Sequence, residues 1–365
     1  MKSGLEDVVA AETVLSDVDG LAGRLVIRGV SLDDLVGRTT YAEQLAALLD
    51  GMFDNLPDDM ALRQRLGRAR AEVLAHLAAA DEAVVALGPV EGLRALMARL
   101  PDGEEFDVAL RLLAAPAVFT PGLIRLRQGL APIAPDPSLP QAADILRMMT
   151  GRMPAPGQIA ALDAYLVTVS DHGLNASTFA ARVVASTRAG LVSAALAALG
   201  ALKGPLHGGA PGPVLDMLDA IGTPANAEPW LDQALDQGER LMGFGHRIYR
   251  VRDPRADALK SAVRALAAAG QVPAERLALA EAVESAALGA LRKRKPDRVL
   301  ETNVEFYTAL LLDALGFPRD TFTCVFAIGR MSGWVAHARE QILTGRLIRP
   351  QSLYVGPQPI ERRAS

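Results

Sequence analysis

Along most of the chain, apolar residues recur at three- and four-residue intervals, the spacing of one face of an α-helix. The first hundred residues show it in "YAEQLAALLDGMF", "ALRQRLGRARAEVLAHLAAA" and "VEGLRALMARL". "AADILRMMTG", "GQIAALDAYLVTVSDHG" and "ASTFAARVVASTRAGLVSAALAALGAL" predict three more helices, the last a single long one. The pattern continues through "VLDMLDAIG", "WLDQALDQGERLMG", "PRADALKSAVRALAAAG", "PAERLALAEAVESAALGALRKRK", "EFYTALLLDALGF" and "CVFAIGRMSGWVAHAREQILTG", then ends in a coil-like "RLIRPQSLYVGP". Residues 19–30, "DGLAGRLVIRGV", differ: β-branched side chains among glycines predict a short strand or hairpin. In the adjoining "SLDDLVG", Ser31 stands where it would cap a helix, with Asp at the third helical position, a variant of the capping box. No solenoid period repeats along the chain.

Three stretches interrupt this text. "LAPIAPDPSLPQ" (130–141) carries four prolines and predicts a loop. "KGPLHGGAPGP" (203–213) and residues 243–255 are Gly-rich breaks of the kind that mark a domain junction. The reading is an all-α protein.

Composition narrows the function classes. Half of the 365 residues are hydrophobic and 4% aromatic, a helical balance dominated by Ala and Leu. A net charge of −4 argues against a nucleic-acid partner. Cys324 is the single cysteine, so no intrachain disulfide is expected and a reducing compartment suits the chain. Acidic residues stand where an export signal needs an apolar core. The apolar run "AGLVSAALAALGAL" is shorter than the roughly 20 residues of a membrane span. A cytoplasmic protein with no membrane contact is expected.

Chemistry concentrates in "LMGFGHRIYRVRDPR" (241–255), where His246 comes after Gly243 and Gly245 and precedes Arg247, Arg250, Arg252 and Arg255. Arginine forks match carboxylate and phosphate oxygens two at a time, so the stretch reads as an anion-handling loop with an acid/base group, or as solvated surface. In "GPLHGG", His207 is flanked by residues that let a ligand approach the backbone, or else caps a helix from a tight turn. His172 in "SDHGLNAST" precedes a helix start that Asn175 or Ser177 would cap. His76 reads as a structural helix residue. His337 and Glu340 in "HARE" reverse the order a di-iron bundle uses, and no zinc spacing exists, so no metal is expected. Glu305 in "NVEFYTALL" has apolar neighbours that would raise its pKa toward that of a base, or it serves the helix dipole. Arg330, inside "CVFAIGRMSGW", needs an anion, either structural or bound.

Taken in order, "GLEDVVAAETVLSDVDGLAGRLVIRGVSLDDL", "DHGLNASTFAARVVAST", "GPLHGGA", "MGFGHRIYRVRDPRA", "NVEFYTALLLDALGFP", "FAIGRMSGWVAHARE" and "RLIRPQSLYVGP" resemble the citrate synthase family over nearly the whole chain. The resemblance implies a homodimer of two-domain helical subunits. The large domain would span 1–207 and 303–365, and a smaller one inserted at 208–302 would close over the substrates. It implies condensation of acetyl-CoA with oxaloacetate and hydrolysis of citryl-CoA, with no cofactor beyond the acyl-CoA substrate. His207 would be the neutral donor to the thioester carbonyl, Glu305 the base, and His246 the acid at the oxaloacetate carbonyl. His172, Arg255 and Arg330 would clamp the dicarboxylate, with Arg349 reaching in from the partner subunit. Arg250 would face a CoA phosphate beside the Gly243 and Gly245 backbone, while Arg247 and Arg252 would be solvated.

One residue departs from the family pattern, which reads "NVDFY" where this chain reads "NVEFY". An extra methylene moves a carboxylate by about an ångström, a displacement that can cost on the order of 100-fold in rate. Two alternatives therefore accompany the reading: a 2-methylcitrate synthase using propionyl-CoA, and a low-activity paralogue that binds CoA or a dicarboxylate.

Overall fold

The structure is a computed structural model that describes residues 4–5, 8–54, 56–78, 82–205, 207, 211–246 and 248–357. It opens on a three-stranded antiparallel sheet, β1 (Ser16–Asp19), β2 (Arg24–Ile27) and β3 (Val30–Ser31), with Ser16 opposite Ile27 and Val26 opposite Ser31. The first half then holds α1 (Leu32–Leu35), α2 (Tyr41–Leu49), α3 (Asp59–Ala78), α4 (Glu82–Val85), α5 (Pro89–Met97), α6 (Phe106–Arg127), α7 (Gln141–Thr150) and α8 (Pro156–Val169). The second half holds α9 (Ala176–Ala185), α10 (Leu191–Leu202), α11 (Pro211–Ile221), α12 (Ala227–Asp236), α13 (Pro254–Ala268), α14 (Ala274–Arg294), α15 (Val304–Ala314) and α16 (Phe322–Thr344). The fold is all-α, as the periodicity predicts.

Several local expectations change. Ser31 occupies the cap position of α1 but makes no side-chain cap bond, and α1 is only four residues long. The reciprocal capping box belongs to Thr40 and Glu43 at the start of α2. The long helix expected over 176–202 is two, α9 and α10. Asp102 lies across the break, accepting from Val192 N at 2.8 Å and Ser193 N at 2.9 Å, and so caps α10 from a remote loop. Helix α6 is a second apolar segment, longer than 189–202. It has the length and hydropathy of a membrane span, but 89% of that window is buried within the fold. Pro116 and Pro121 lie inside it and mask its helical reading in the sequence. The proline-rich loop before α7 is held down: buried Arg70 of α3 donates to Leu139 O at 2.7 Å, Asp136 O at 3.1 Å and Asp144 Oδ2 at 2.9 Å.

Helix α16 runs through the core, buried along nearly its whole length, and packs on α6, α8, α9 and α10. Its approach to α8 depends on two glycines. A Cβ at Gly329 would meet Val169 Cγ2 at 2.5 Å, and one at Gly333 would meet Ser170 O at 2.5 Å. This contact carries Arg330 directly beneath the turn that leaves α8. Helix α13 packs against both α8 and α15. The N-terminal hairpin touches two loops: Ser16 Oγ bonds Asp171 Oδ2 and accepts from Gly173 N at 3.0 Å, and Gly20 O accepts from Arg250 N at 2.8 Å.

Candidate active site

Three loops and the helices α13, α15 and α16 meet around the predicted residues. The loop 241–246 is stitched to the segment before α15: Phe244 and Thr302 form an antiparallel bridge, and Gly245 N donates to Glu301 O at 2.8 Å. Asn303 N donates to Gly243 O, and the Asn303 amide to Gly245 O, both at 2.9 Å. Gly243 (φ +86°) and Gly245 (φ +82°) adopt left-handed backbone, and a Cβ on either would press on Phe306 or Leu300. These glycines therefore bring His246 to the start of the helix that carries Glu305.

Asp253 organises the entry to α13. It caps the helix by accepting from Arg255 N at 3.0 Å, grips the Arg255 guanidinium through Nε at 3.0 Å and Nη2 at 2.8 Å, and takes Val304 N at 3.1 Å. Arg255 is thereby fixed and buried, its Nη2 3.1 Å from His246 Nε2. His246 Nδ1 accepts from Ile248 N at 3.0 Å and Tyr249 N at 3.1 Å, while Nε2 is the acceptor open to Arg255, which can only donate. With the ring proton on Nε2, a carbonyl or carboxylate oxygen beside this pair would take an N–H from both Arg255 and His246. Burial, reinforced by Arg255, pushes the His246 pKa down to about 4, so the ring is neutral at pH 7.

His172 lies edge-on to His246, ring centroids 5.7 Å apart, with Nε2 3.1 Å from the Tyr249 hydroxyl. Burial first, then Arg255 and Arg330, keep it uncharged. His207 Nε2 is 2.8 Å from Ser177 Oγ. Asn175 Oδ1, the cap of α9, already accepts from the Ser177 and Thr178 N–H groups at 3.1 Å, and Trp334 Nε1 donates to Ser177 Oγ at 3.1 Å. Ser177 Oγ also lies 2.7 Å from Asn175 Oδ1, so its one proton goes either there or to His207 Nε2, and the second arrangement leaves Nδ1–H as an outward donor. Burial, with Arg330 and Arg255 nearby, pushes the His207 pKa down to about 4.

Glu305 sits in the first turn of α15, below the Asn303 cap, and its Oε2 is buried without a partner. Burial raises its pKa to about 7 against the opposing pull of Arg255 and Arg330. Arg330 donates Nε to Val169 O at 2.6 Å and lies 4.8 Å over the Phe326 ring, but its Nη2 has no partner. Burial lowers its pKa to about 10. A buried guanidinium with a free N–H is a seat for an anion. Neutral imidazoles, a carboxylate near neutrality and two fixed cations make a set suited to proton abstraction beside a bound carboxylate.

Other predicted residues lie apart. Arg349 is exposed on the coil after α16 and, among the described residues, pairs with no carboxylate. Arg250 is exposed on the loop after His246. Arg252 is exposed, as expected, and also pairs with Asp33 at 2.7 Å and with Asp257; Arg247 lies outside the described residues. His337 and Glu340 belong to a buried polar chain: His337 Nε2 to Asp171 Oδ2 at 3.2 Å, Arg182 Nε to His337 Nδ1 at 3.2 Å, and Arg182 to Glu340. No metal-holding group occurs among the described residues. Asp253, Ser177, Tyr249 and Trp334 escaped the sequence reading as site residues, although Asp253 before Pro254 carries the signature of a cap. A cavity of about 400 Å³ lies beyond Asp253, where Lys260 pairs with Glu284 and Arg264 with Glu281.

The profile of the "citrate synthase, C-terminal domain" family matches residues 4–351. A Mycobacterium tuberculosis protein named for a second citrate synthase is 41% identical over 364 residues, covering 98% of this chain and 93% of its own. The fold is similar to the Thermotoga maritima citrate synthase, with a TM-score of 0.85 and 32% identity over 99% of this chain and 97% of that one. It is also similar to the Thermoplasma acidophilum enzyme solved with carboxymethyl coenzyme A and oxaloacetate, with a TM-score of 0.83 and 29% identity over 99% and 97% of the two chains.

Proposed function

The chain belongs to the citrate synthase family, and on that premise we propose that it condenses acetyl-CoA with oxaloacetate and hydrolyses citryl-CoA to citrate and CoA. The observation that carries the reading is Glu305, a half-buried residue whose Oε2 is buried without a partner and whose pKa is pushed up to about 7, among neutral imidazoles and fixed arginines. A thioester methyl is a weak carbon acid, so its deprotonation needs a base together with a donor at the carbonyl oxygen. Glu305 takes the proton and His207 donates to the nascent enolate oxygen. A neutral ring suits this, since its N–H is matched to an enolate better than to a full charge transfer. The enolate carbon then attacks the oxaloacetate carbonyl, which His246 Nε2–H polarises and protonates. Arg255, Arg330 and His172 hold the dicarboxylate in attack geometry. Water then cleaves the citryl thioester.

The acyl-CoA reaches this centre through the inserted unit, 208–302, which carries His246 and Arg255 and closes on the rest, 1–207 and 303–365. Arg250 meets a CoA phosphate. Gly243 and Gly245 act at the CoA site by shaping the loop, because both peptide groups of Gly245 are already bonded to residues 301 and 303. The working form is a cytoplasmic homodimer in which Arg349 enters the partner's site. Exposed Leu347, Leu353, Tyr354 and Val355 on the same tail support this, since apolar side chains of that density favour cover by another surface. The chemistry needs no resident cofactor.

The Glu305 pKa favours an active enzyme over a silent paralogue, because a base poised near the working pH is the most effective. The test is release of free thiol from acetyl-CoA and from propionyl-CoA with oxaloacetate, run in parallel. A higher kcat/KM for acetyl-CoA is expected. A preference for propionyl-CoA would make the protein a 2-methylcitrate synthase, and no thiol at micromolar enzyme would overturn catalysis altogether.

A further inference from the structure

Arg255 and Arg330 stand on helices, but His172 stands in the turn between α8 and α9, and a turn does not by itself hold the aim of a side chain. A hydroxyl from the N-terminal hairpin closes this turn from outside. Ser16 Oγ, on β1, accepts from Gly173 N at 3.0 Å. The serine's single proton goes to its other partner, Asp171 Oδ2, which has none to give. One side chain thus grips the residue on either side of His172. Gly173 is left-handed (φ +59°), and a Cβ there would meet Val18 Cγ2 at 3.2 Å, so the turn lies close against β1.

We infer that Ser16 is a positioning residue for oxaloacetate binding: by bridging Asp171 and Gly173 it fixes the turn that aims the His172 imidazole. The inference rests on the reading of His172 as part of the dicarboxylate clamp. The bridge is itself firmly held. Ser16 pairs with Ile27 across the sheet, Val14 N donates to Glu340 Oε1 on α16 at 2.9 Å, and Leu15 between them is fully buried. Asp171 is fixed from a second side. Arg182 Nε donates to His337 Nδ1 at 3.2 Å, so His337 Nε2–H donates to Asp171 Oδ2, also at 3.2 Å. Burial opposes the charge on Asp171, but hydrogen bonds from His337 and Ser16, with Arg330 nearby, hold its pKa below the ordinary value. The serine therefore donates to a charged carboxylate, the stronger kind of hydrogen bond. Without it the turn is held on one side only, and a shift of about an ångström in a substrate-positioning group can cost on the order of 100-fold in rate.

Ser16→Ala removes the bridge. Calorimetric titration with oxaloacetate should show a Kd raised about tenfold, in keeping with the loss of a hydrogen bond to a charged group. The KM for oxaloacetate should rise with it, while that for acetyl-CoA stays within about twofold of the parent. Ser16→Thr, which keeps the hydroxyl, should restore the parent Kd, and its isostere Ser16→Val should not; this pair keeps the test decisive if the alanine variant folds poorly. In a His172→Ala background, Ser16→Ala should weaken binding by less than about twofold more, because the group it acts through is gone. An unchanged Kd in Ser16→Ala and Ser16→Val, or the same loss with and without His172, overturns the inference. His172→Ala alone separates the two readings. If it weakens oxaloacetate binding while the Ser16 variants do not, His172 stands in the clamp and only the role of Ser16 falls; if it leaves binding unchanged, the clamp reading falls and the inference with it.

Discussion

Asp253 and Arg255 form a two-point pair, Nε to Oδ1 at 3.0 Å and Nη2 to Oδ2 at 2.8 Å, and the same carboxylate also takes the Val304 N–H. The pair is almost fully buried, so the guanidinium cannot swing to find its substrate. It waits in place. Removing the charge by Asp253→Asn leaves a buried cation half-paired, which typically costs about 3–5 kcal/mol. The expected outcome is a lower melting temperature and a rise in KM for oxaloacetate of at least tenfold, larger than the rise for acetyl-CoA. Steady-state kinetics with each substrate varied in turn checks it.

Glu305 is placed for its own length, not for that of aspartate. Glu305→Gln should reduce kcat by about 100- to 10,000-fold, the usual worth of a positioned base. Glu305→Asp should also lose activity, by on the order of 100-fold, because the shortened carboxylate retreats by about an ångström. An aspartate variant faster than the parent would show that the site is built for the shorter acid.

The same residue makes stability depend on pH. Its folded pKa, about 7, lies above the ordinary value of 4.5, so the folded state binds the extra proton. That contribution is full below pH 4.5 and is lost as pH rises through 7. His207 and His246, lowered from 6.5 to about 4, act in the opposite sense: their contribution is present above pH 6.5 and lost as pH falls through 4. Glu305→Gln, which cannot ionise, should therefore gain on the parent between pH 5 and pH 8, by at most about 3 kcal/mol. Melting curves of the ligand-free proteins at both values test this, and a constant difference would refute it.

Arg330 sets binding against stability. Its free Nη2 is unpaired in a dry site, a cost that a well-packed apolar side chain avoids. Arg330→Met should raise the melting temperature of the ligand-free protein while removing the stabilisation that oxaloacetate confers. A thermal-shift series with and without oxaloacetate reads both effects. A variant that melts lower and still responds to oxaloacetate would contradict the assignment.

Much of the fold was legible because α2, α5, α7 and α12 are amphipathic, and amphipathicity shows in the sequence. Helix α6 was not, because its middle is buried on all sides, with no polar face to set a period, and its two prolines look like breaks. The split between α9 and α10 was equally hidden, since it depends on Asp102, far away in sequence. For the site, His246, Glu305 and Arg330 stood out because each is chemically out of keeping with its neighbours. Ser177 and Trp334 did not, for a serine near a helix start and a tryptophan within a helix are ordinary until a histidine far along the chain packs against that serine. The pairing of exposed Arg252 with Asp33 was hidden as well, because Asp33 lies in α1 and no local pattern reveals such a pair.

The N-terminal hairpin ties together two walls of the site. Ser16 is bonded to the turn before α9, and Gly20 to the loop bearing Arg250, so a short ribbon bridges the two sides between which the reaction is placed. Any rotation that parts those sides must either drag the ribbon along or snap the Gly20–Arg250 link. Trimming the chain back beyond Gly20 would then alter how far and how often the cleft gapes, although nothing in that stretch carries a reacting atom.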